Sequence, residues 1–230
     1  MRSAWGSVAV LGALCAAPPV VAQGGSARFA VVAFENTGSY GQDKEIFEAL
    51  EGGLAAMLAR SIDRHPGAEV VQRNRLLQAM GKLDLGPAQR VDAASAAQLG
   101  KATGARYTVT GSFADFYGKF RINARLVDTE SGDIVKVVSN DDPKLQDRAQ
   151  LAAIVQSVGE KVTSAAGLPP YPAGSAPRPV PTDAITAYSR GLLHEGRGDN
   201  AKASAFYESA LKAFPEFEEA REALGRVRGS

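Results

Sequence analysis

Residues 92–113, DAASAAQLGKATGARYTVTGSF, pass from a helical pattern to a strand pattern without a break. Asp92 stands where a helix N-cap belongs, and apolar residues recur at helical spacing behind it. Gly104 supplies the left-handed conformation that commonly ends a helix. Beyond Ala105 apolar and polar residues alternate, which is the period of a half-buried strand. The segment therefore predicts a helix followed directly by a β-strand.

The alternation continues and predicts a β-hairpin. Apolar residues over 120–126 alternate with Lys119, Arg121 and Arg125, so we expect one packed face and one wet, basic face. A tight turn then leads to a strand over 134–138. The three basic residues are candidate partner-binding residues, with a merely solvated face as the alternative. The exposed strand at the edge of the sheet is the other candidate contact surface, because its backbone groups lack a neighbour.

The flanking segments complete one α/β pattern. An apolar run at 28–34, ended by turn-forming residues at 35–38, predicts a buried strand, and a short second strand is expected at 69–71. Helical spacing predicts helices over 44–64, from 74, from 92 and over 145–165. The fold class is therefore α/β (α+β): a mixed sheet packed with helices, followed by a small all-α segment.

Four segments together resemble one family, the CsgG family of curli-secretion lipoproteins. They are RFAVVAFEN (28–36), VVQRNRLLQAM (70–80), DAASAAQLGKATGARYTVTGSF (92–113) and INARLVDTESGDIV (122–135). The layout is also similar to the penicillin-binding-protein activator LpoB and to the N-terminal domain of TolB. The resemblance implies a CsgG/TolB-N-terminal-like domain over 28–166, and the function it implies is an analogy from fold.

The hairpins depart from the channel-forming members of that family, which carry two long inserted hairpins that cross the outer membrane. Here both hairpin turns are tight, and the outer face of the first would present Lys119, Arg121 and Arg125 to lipid. We therefore expect a soluble sheet rather than a pore, and only an indirect association with a membrane.

The N-terminus has the pattern of a secretory signal peptide over residues 1–22. Arg2 precedes a short apolar run and small residues up to Ala22, after which we expect cleavage. An uncleaved anchor and a lipoprotein acylated at Cys15 are the alternatives, but Leu14 is too large for lipoprotein processing. We expect an exported protein, periplasmic or associated with the outer membrane.

Residues 167–182 hold six of the 12 prolines and predict a semi-rigid linker. Beyond it, residues 183–228 resemble one tetratricopeptide (TPR) repeat. With Ala184 as position 1, residues typical of the repeat fall at positions 8, 20, 24, 27 and 32: Gly191, Ala203, Tyr207, Ala210 and Pro215. Since about three repeats are normally needed for stability, the module is expected to dock on its own first domain or on a partner.

The concave surface of such a repeat is built from first-helix positions 2, 5, 9 and 12. Here these are the candidate partner-binding residues Ile185, Tyr188, Leu192 and Glu195. Two interpretations stay open: the face binds a peptide, or it packs within the chain.

Catalytic and cofactor motifs are not found in the sequence. It has two histidines, His65 and His194, and no glycine-rich phosphate motif or nucleophile elbow. Asp115 alternates with apolar strand residues, but a carboxylate near a hairpin tip is usually solvated. A net charge of +1 argues against nucleic acid as a partner. We expect neither enzyme activity nor a cofactor or metal.

Two functions stay open. The first is a non-enzymatic envelope protein that binds other envelope proteins or peptides, as an interaction or assembly module. The alternative is an oligomeric component of a curli-type outer-membrane secretion apparatus, and a homo-oligomer is left open in both.

Overall fold

The computed structural model describes residues 26–39, 43–86, 91–144, 146–174 and 179–229. The predicted signal peptide at 1–22, with Cys15 and Ala22, lies outside these residues, as does Leu145. The described residues form β1 (Ala27–Val31), β2 (Glu35–Asn36), α1 (Lys44–Asp63), β3 (Ala68–Val70), α2 (Arg73–Lys82), α3 (Ala93–Thr103), β4 (Tyr107–Phe116), β5 (Lys119–Asp128), β6 (Ile134–Ser139), a 3₁₀ turn (Arg148–Gln150), α4 (Leu151–Ala165), α5 (Thr182–Gly196), α6 (Asn200–Ala213) and α7 (Glu218–Arg228).

The strands form one mixed sheet in the order β3-β1-β4-β5-β6. β1 runs parallel to β3 and β4, whereas β4, β5 and β6 form an antiparallel meander. The prediction of a turn at 35–38 is wrong at its start, because Glu35 and Asn36 form β2 and pair with Ser112 and Phe113. A two-residue strand is too short for any periodicity to show it.

Helices cover both faces of the sheet, so consecutive residues of β1 are buried on opposite sides. Phe29 and Val31 belong to a large apolar cluster with α1 and α4, whereas Ala30 and Val32 belong to a second cluster with α2 and α3. The fold is thus mixed α/β, as predicted from the sequence.

Local signals fix α3 and its junction with β4. The Asp92 carboxylate accepts a hydrogen bond from the Ser95 backbone N–H at 2.8 Å, and Gly104 ends the helix in the left-handed region at φ +71°. The predicted cap and stop are therefore confirmed.

Helix α4 begins at Leu151, later than the predicted start at 145. The Arg148 backbone N–H donates to the Gly118 carbonyl at 2.7 Å, which ties this part of the chain to the β4–β5 turn. The Asp147 carboxylate caps the 3₁₀ turn that follows. These bonds to the hairpin, rather than helical spacing, set the start of the helix.

Helices α5, α6 and α7 pack around a third apolar cluster that includes Tyr188, Tyr207 and Phe217. Helix α5 also lies on α1, and Ile185 is fully buried in the cluster between α1 and the sheet. The helical part therefore docks on the α/β part of its own chain, one of the two arrangements expected for a single repeat.

The described part of the proline-rich segment packs on the end of α1. The Tyr171 hydroxyl donates to the Ser61 carbonyl at 2.9 Å, and its ring meets the His65 ring edge-on at 4.8 Å. The segment is thus anchored where it leaves α4. The division of the chain into domains at 167–182 stays a prediction.

Candidate partner-binding surfaces

Three exposed apolar side chains of the sheet lie together on its edge strand β6. Ile134, Val135 and Val137 are 43–54% exposed, whereas Val138 is buried against the core. Within the described residues β6 has β5 on one side and no strand on the other. Three β-branched residues on an unpaired edge form a template for an added strand. The sequence predicted the strand and, separately, an exposed sheet edge as a contact surface, but it did not assign the edge to this strand or predict which side chains are exposed.

The basic face on β5 lies beside this edge. Lys119, Arg121 and Arg125 share one face of the strand, and Arg125 is paired in register with Val137 of β6. None of the three forms an ion pair with another residue in the described part of the chain. Arg125 therefore lies next to the exposed Val137, whereas Lys119 and Arg121 lie beyond the paired part of β6, toward the hairpin tip. The role of the three residues in binding stays a prediction.

The face of the β4–β5 hairpin that was expected to be solvent-exposed is partly covered. On β4, Thr108, Thr110 and Ser112 share the face of the basic residues, yet all three are buried. The Thr108 hydroxyl donates to the Ala96 carbonyl of α3 at 2.9 Å. The expectation of a uniformly wet face is thus wrong for β4, because α3 lies over it.

Asp115 is buried and organises the tip of the β4–β5 hairpin, so the expectation of a solvated carboxylate is wrong. Its side chain is 1% exposed, and its Oδ2 lies 3.0 Å from Nη1 of Arg148. Its Oδ1 accepts a hydrogen bond from the Gly118 N–H at 2.7 Å. These bonds hold Tyr117, 91% exposed, at a positive φ of 55°.

Three of the four candidate residues of α5 are buried, whereas the fourth, Glu195, has a side chain that is 26% exposed. Ile185 packs against α1 and the sheet, and Leu192 is buried in the helical cluster. Tyr188 packs against the rings of Tyr207 and Phe217. These contacts correspond to the internal-packing interpretation, and partner binding by this face stays a prediction.

Glu195 is bound within the helical part. Its carboxylate accepts a hydrogen bond from the Tyr207 hydroxyl and lies 3.3 Å from the Arg226 guanidinium. Burial, together with this bond to the carboxylate, raises the pKa of Tyr207 well above its ordinary value. Glu195 thus links α5, α6 and α7.

His194, the residue before Glu195 on α5, is buried. Its ring stacks on Phe206 at 5.3 Å, and Nε2 lies 3.6 Å from the Glu45 carboxylate. In the described part of the chain, no group of three histidine, cysteine or acidic side chains is arranged to hold a metal ion. Helices long and apolar enough to cross a membrane are not found in that part either.

The first part of the chain matches a known protein family. Residues 16–121, slightly less than half of the chain, match the sequence model of the family described as "Curli production assembly/transport component CsgG". The α/β part therefore has a CsgG-like fold. A comparison with curated protein sequences returns no match.

Several solved structures are similar to the chain at low identity. LpoB from E. coli, solved by NMR, is 20% identical with a TM-score of 0.37, over 50% of this chain and 55% of LpoB. TolB from Acinetobacter baumannii is 17% identical with a TM-score of 0.36, over 62% of this chain and 27% of TolB. The PelC dodecamer from Paraburkholderia phytofirmans is 14% identical with a TM-score of 0.35, over 61% of this chain and 88% of PelC. The chain thus spans about half the length of the E. coli LpoB structure.

Proposed function

We propose that the chain is a non-enzymatic, exported protein of the cell envelope that binds other envelope proteins through the edge of its sheet. The observation that carries the proposal is the exposed, β-branched strand β6 on an unpaired edge. The match to the CsgG family supports the envelope location.

A partner strand added to β6 would gain backbone hydrogen bonds along six residues. It would also cover Val135 and Val137, which removes apolar surface from water. Lys119, Arg121 and Arg125 lie on the same side of the sheet as Val137 and favour a partner with acidic side chains there. The partner we propose is therefore an extended segment with apolar and acidic residues.

The proposal is tested by capturing partners from an envelope extract with the full chain and identifying them by mass spectrometry. Val135→Lys combined with Val137→Lys places charges on the edge and should abolish capture of specific partners. Val137→Thr, which keeps a β-branched residue, is the matched control and should retain most of it. Equal capture by wild type and the lysine variant, at unchanged melting temperature, would exclude β6 as the contact.

The basic face is tested in the same experiment. Replacing Lys119, Arg121 and Arg125 with serine should reduce capture and make the remainder insensitive to salt, because surface attractions are screened by ions. The melting temperature should change little, since none of the three is ion-paired within the described residues. A large loss of stability would assign them a structural role instead.

The family match favours a second candidate, an oligomeric component of a curli-type secretion apparatus. Light scattering during size-exclusion chromatography separates the two candidates. A ring of defined mass that Val137→Lys dissociates would support the oligomer, whereas a monomer at all concentrations would exclude it.

A further inference from the structure

A cleft opens at the edge of the sheet opposite to β6, at the carboxyl ends of the parallel strands β1 and β3. The chain leaves β1 toward α1 on one face and leaves β3 toward α2 on the other. Val31 and Val70, at these strand ends, both line the cleft. Adjacent parallel strands whose connections diverge to opposite faces leave a crevice between them, and open α/β sheets bind their ligands in such crevices.

The inner end of the cleft is a mainly apolar cavity of about 280 Å³ between α1, α2 and α5. Glu51 and the paired Glu48 and Arg197 also line it. Its walls include Leu76 and Met80 of α2 and Leu192 of α5, and α1 contributes alanines that leave the space open. Leu77 lies at its mouth and is 42% exposed. The cavity has room for one large apolar side chain.

The outer end is a wider groove of about 590 Å³ between α2 and the helical part, and more charged side chains line it than line the cavity. Arg73 and Leu77 line both ends, so the groove adjoins the cavity. Most charges in the groove have partners: Arg60 is paired with Glu218 and Glu219, and Arg226 with Glu195.

Three charged side chains in the groove form no ion pair with described residues, and one of them, Asp63, accepts a hydrogen bond from the Val70 N–H at 3.2 Å. The other two are opposite charges without a bonded partner in the described residues. Arg73 on α2 and Glu222 on α7 form no ion pair with other residues of the described chain, nor with each other. The groove therefore separates a cation, next to the apolar cavity, from an anion farther out. An occupant with an acidic group near Arg73 and a basic group near Glu222 would complement both.

We propose that this cleft binds a short peptide segment of a partner protein, with a large apolar side chain, then an acidic residue, then a basic one. The apolar side chain fills the cavity, and the two charged residues pair with Arg73 and Glu222. This goes beyond the edge-strand function, because it is a second site formed jointly by the α/β part and the helical part.

The length of the cleft favours a peptide over a small molecule. Its floor follows α1 from Glu48 to Asp63, which at 1.5 Å per residue is about 22 Å. An extended peptide of about six or seven residues has this length. A compact apolar molecule would fill the cavity alone and leave Arg73 and Glu222 unpaired.

The test is a selection from a random seven-residue peptide library displayed on phage, with the full chain as bait. Wild type should enrich peptides with the order apolar, acidic, basic. The variant Arg73→Glu combined with Glu222→Arg reverses both charges and should enrich the order apolar, basic, acidic. Arg75→Glu, an exposed change on the same helix that does not line the cleft, is the matched control and should select the wild-type order.

Fluorescence polarisation with the peptide enriched by the wild type measures the binding affinity of each variant. The charge-reversed variant should bind it at least about tenfold more weakly, and so should Leu77→Glu, which places a charge at the mouth of the cavity. Thermal melting of each variant checks that it is folded. No enriched order with wild type, or the same order with wild type and the charge-reversed variant, would overturn the proposal. Binding of a small apolar dye in the cavity without peptide enrichment would overturn it as well.

Discussion

Gly53 of α1 lies directly against Ser189 of α5. A Cβ atom on Gly53 would come within 1.8 Å of Ser189 Oγ and 3.2 Å of its Cα, so the two helices touch at a point that admits only a hydrogen. Ser189 is fully buried, and its hydroxyl donates to the Ile185 carbonyl one turn earlier. This contact fixes how closely the helical part approaches the α/β part.

We expect Gly53→Ala to destabilise the protein by about 2 kcal/mol or more, because the added methyl group forces α1 and α5 apart. Gly81→Ala in α2 is the matched control, since a Cβ there meets no atom within 4 Å. Alanine favours the helix, so this control should leave the stability unchanged or raise it by up to about 1 kcal/mol. Urea unfolding of the two variants gives the difference, and equal stabilities would contradict the close contact.

The sequence was sufficient for features that depend on neighbouring residues. The cap at Asp92 and the stop at Gly104 are local, because each acts on backbone groups within a few residues. The alternation in β4 and β5 likewise gave both strands within a few residues of their ends. The order of helices and strands, apart from the short β2, followed from these signals, and so did the fold class.

Contacts between distant segments could not be predicted in this way. Asp115 is buried only because Arg148, 33 positions later, returns to the hairpin tip. Ile185 has the spacing of a repeat residue, yet whether it faces a groove or α1 depends on where the whole helix docks. The cleft near Arg73 has the same origin, since its walls come from α2, α5 and α7.

The ion pair at the hairpin tip predicts a cost for removing its buried charge. Asp115→Asn keeps the shape of the side chain but loses the attraction to Arg148, so we expect a loss of about 1 to 3 kcal/mol. Asp133→Asn, an exposed change in the next turn, should cost less than about 0.5 kcal/mol. Thermal unfolding compares the two. A similar effect of both changes would show that the buried position of Asp115 is unimportant.

Tyr188 predicts a loss of stability at high pH. Burial raises the pKa of Tyr188 to about 12, whereas an unfolded tyrosine ionises near about 10. Above the lower value the unfolded chain binds fewer protons than the folded chain, so stability falls as pH rises, by about 1.4 kcal/mol per pH unit up to the higher value. Tyr188→Phe should remove this part of the decline, whereas Tyr117→Phe at the exposed hairpin tip should not. Melting curves between about pH 9 and 11.5, a range that covers most of the interval between the two pKa values, measure this loss of stability. Parallel curves for wild type and Tyr188→Phe would contradict the prediction.

The double change Tyr188→Ala and Leu192→Ala distinguishes the two roles of the α5 face. Both side chains are more than nine-tenths buried, and Tyr188 lies 5.1 Å from the ring of Phe217 on the segment leading into α7. If the face packs internally, two large-to-small truncations should cost about 5 kcal/mol or more and separate α5 from α7. Leu77→Ala, at an exposed position of α2, is the control for losing a leucine and should cost less than about 1 kcal/mol. Urea unfolding measures both. A double variant that stays as stable as wild type and loses partner capture would instead make this face a binding surface.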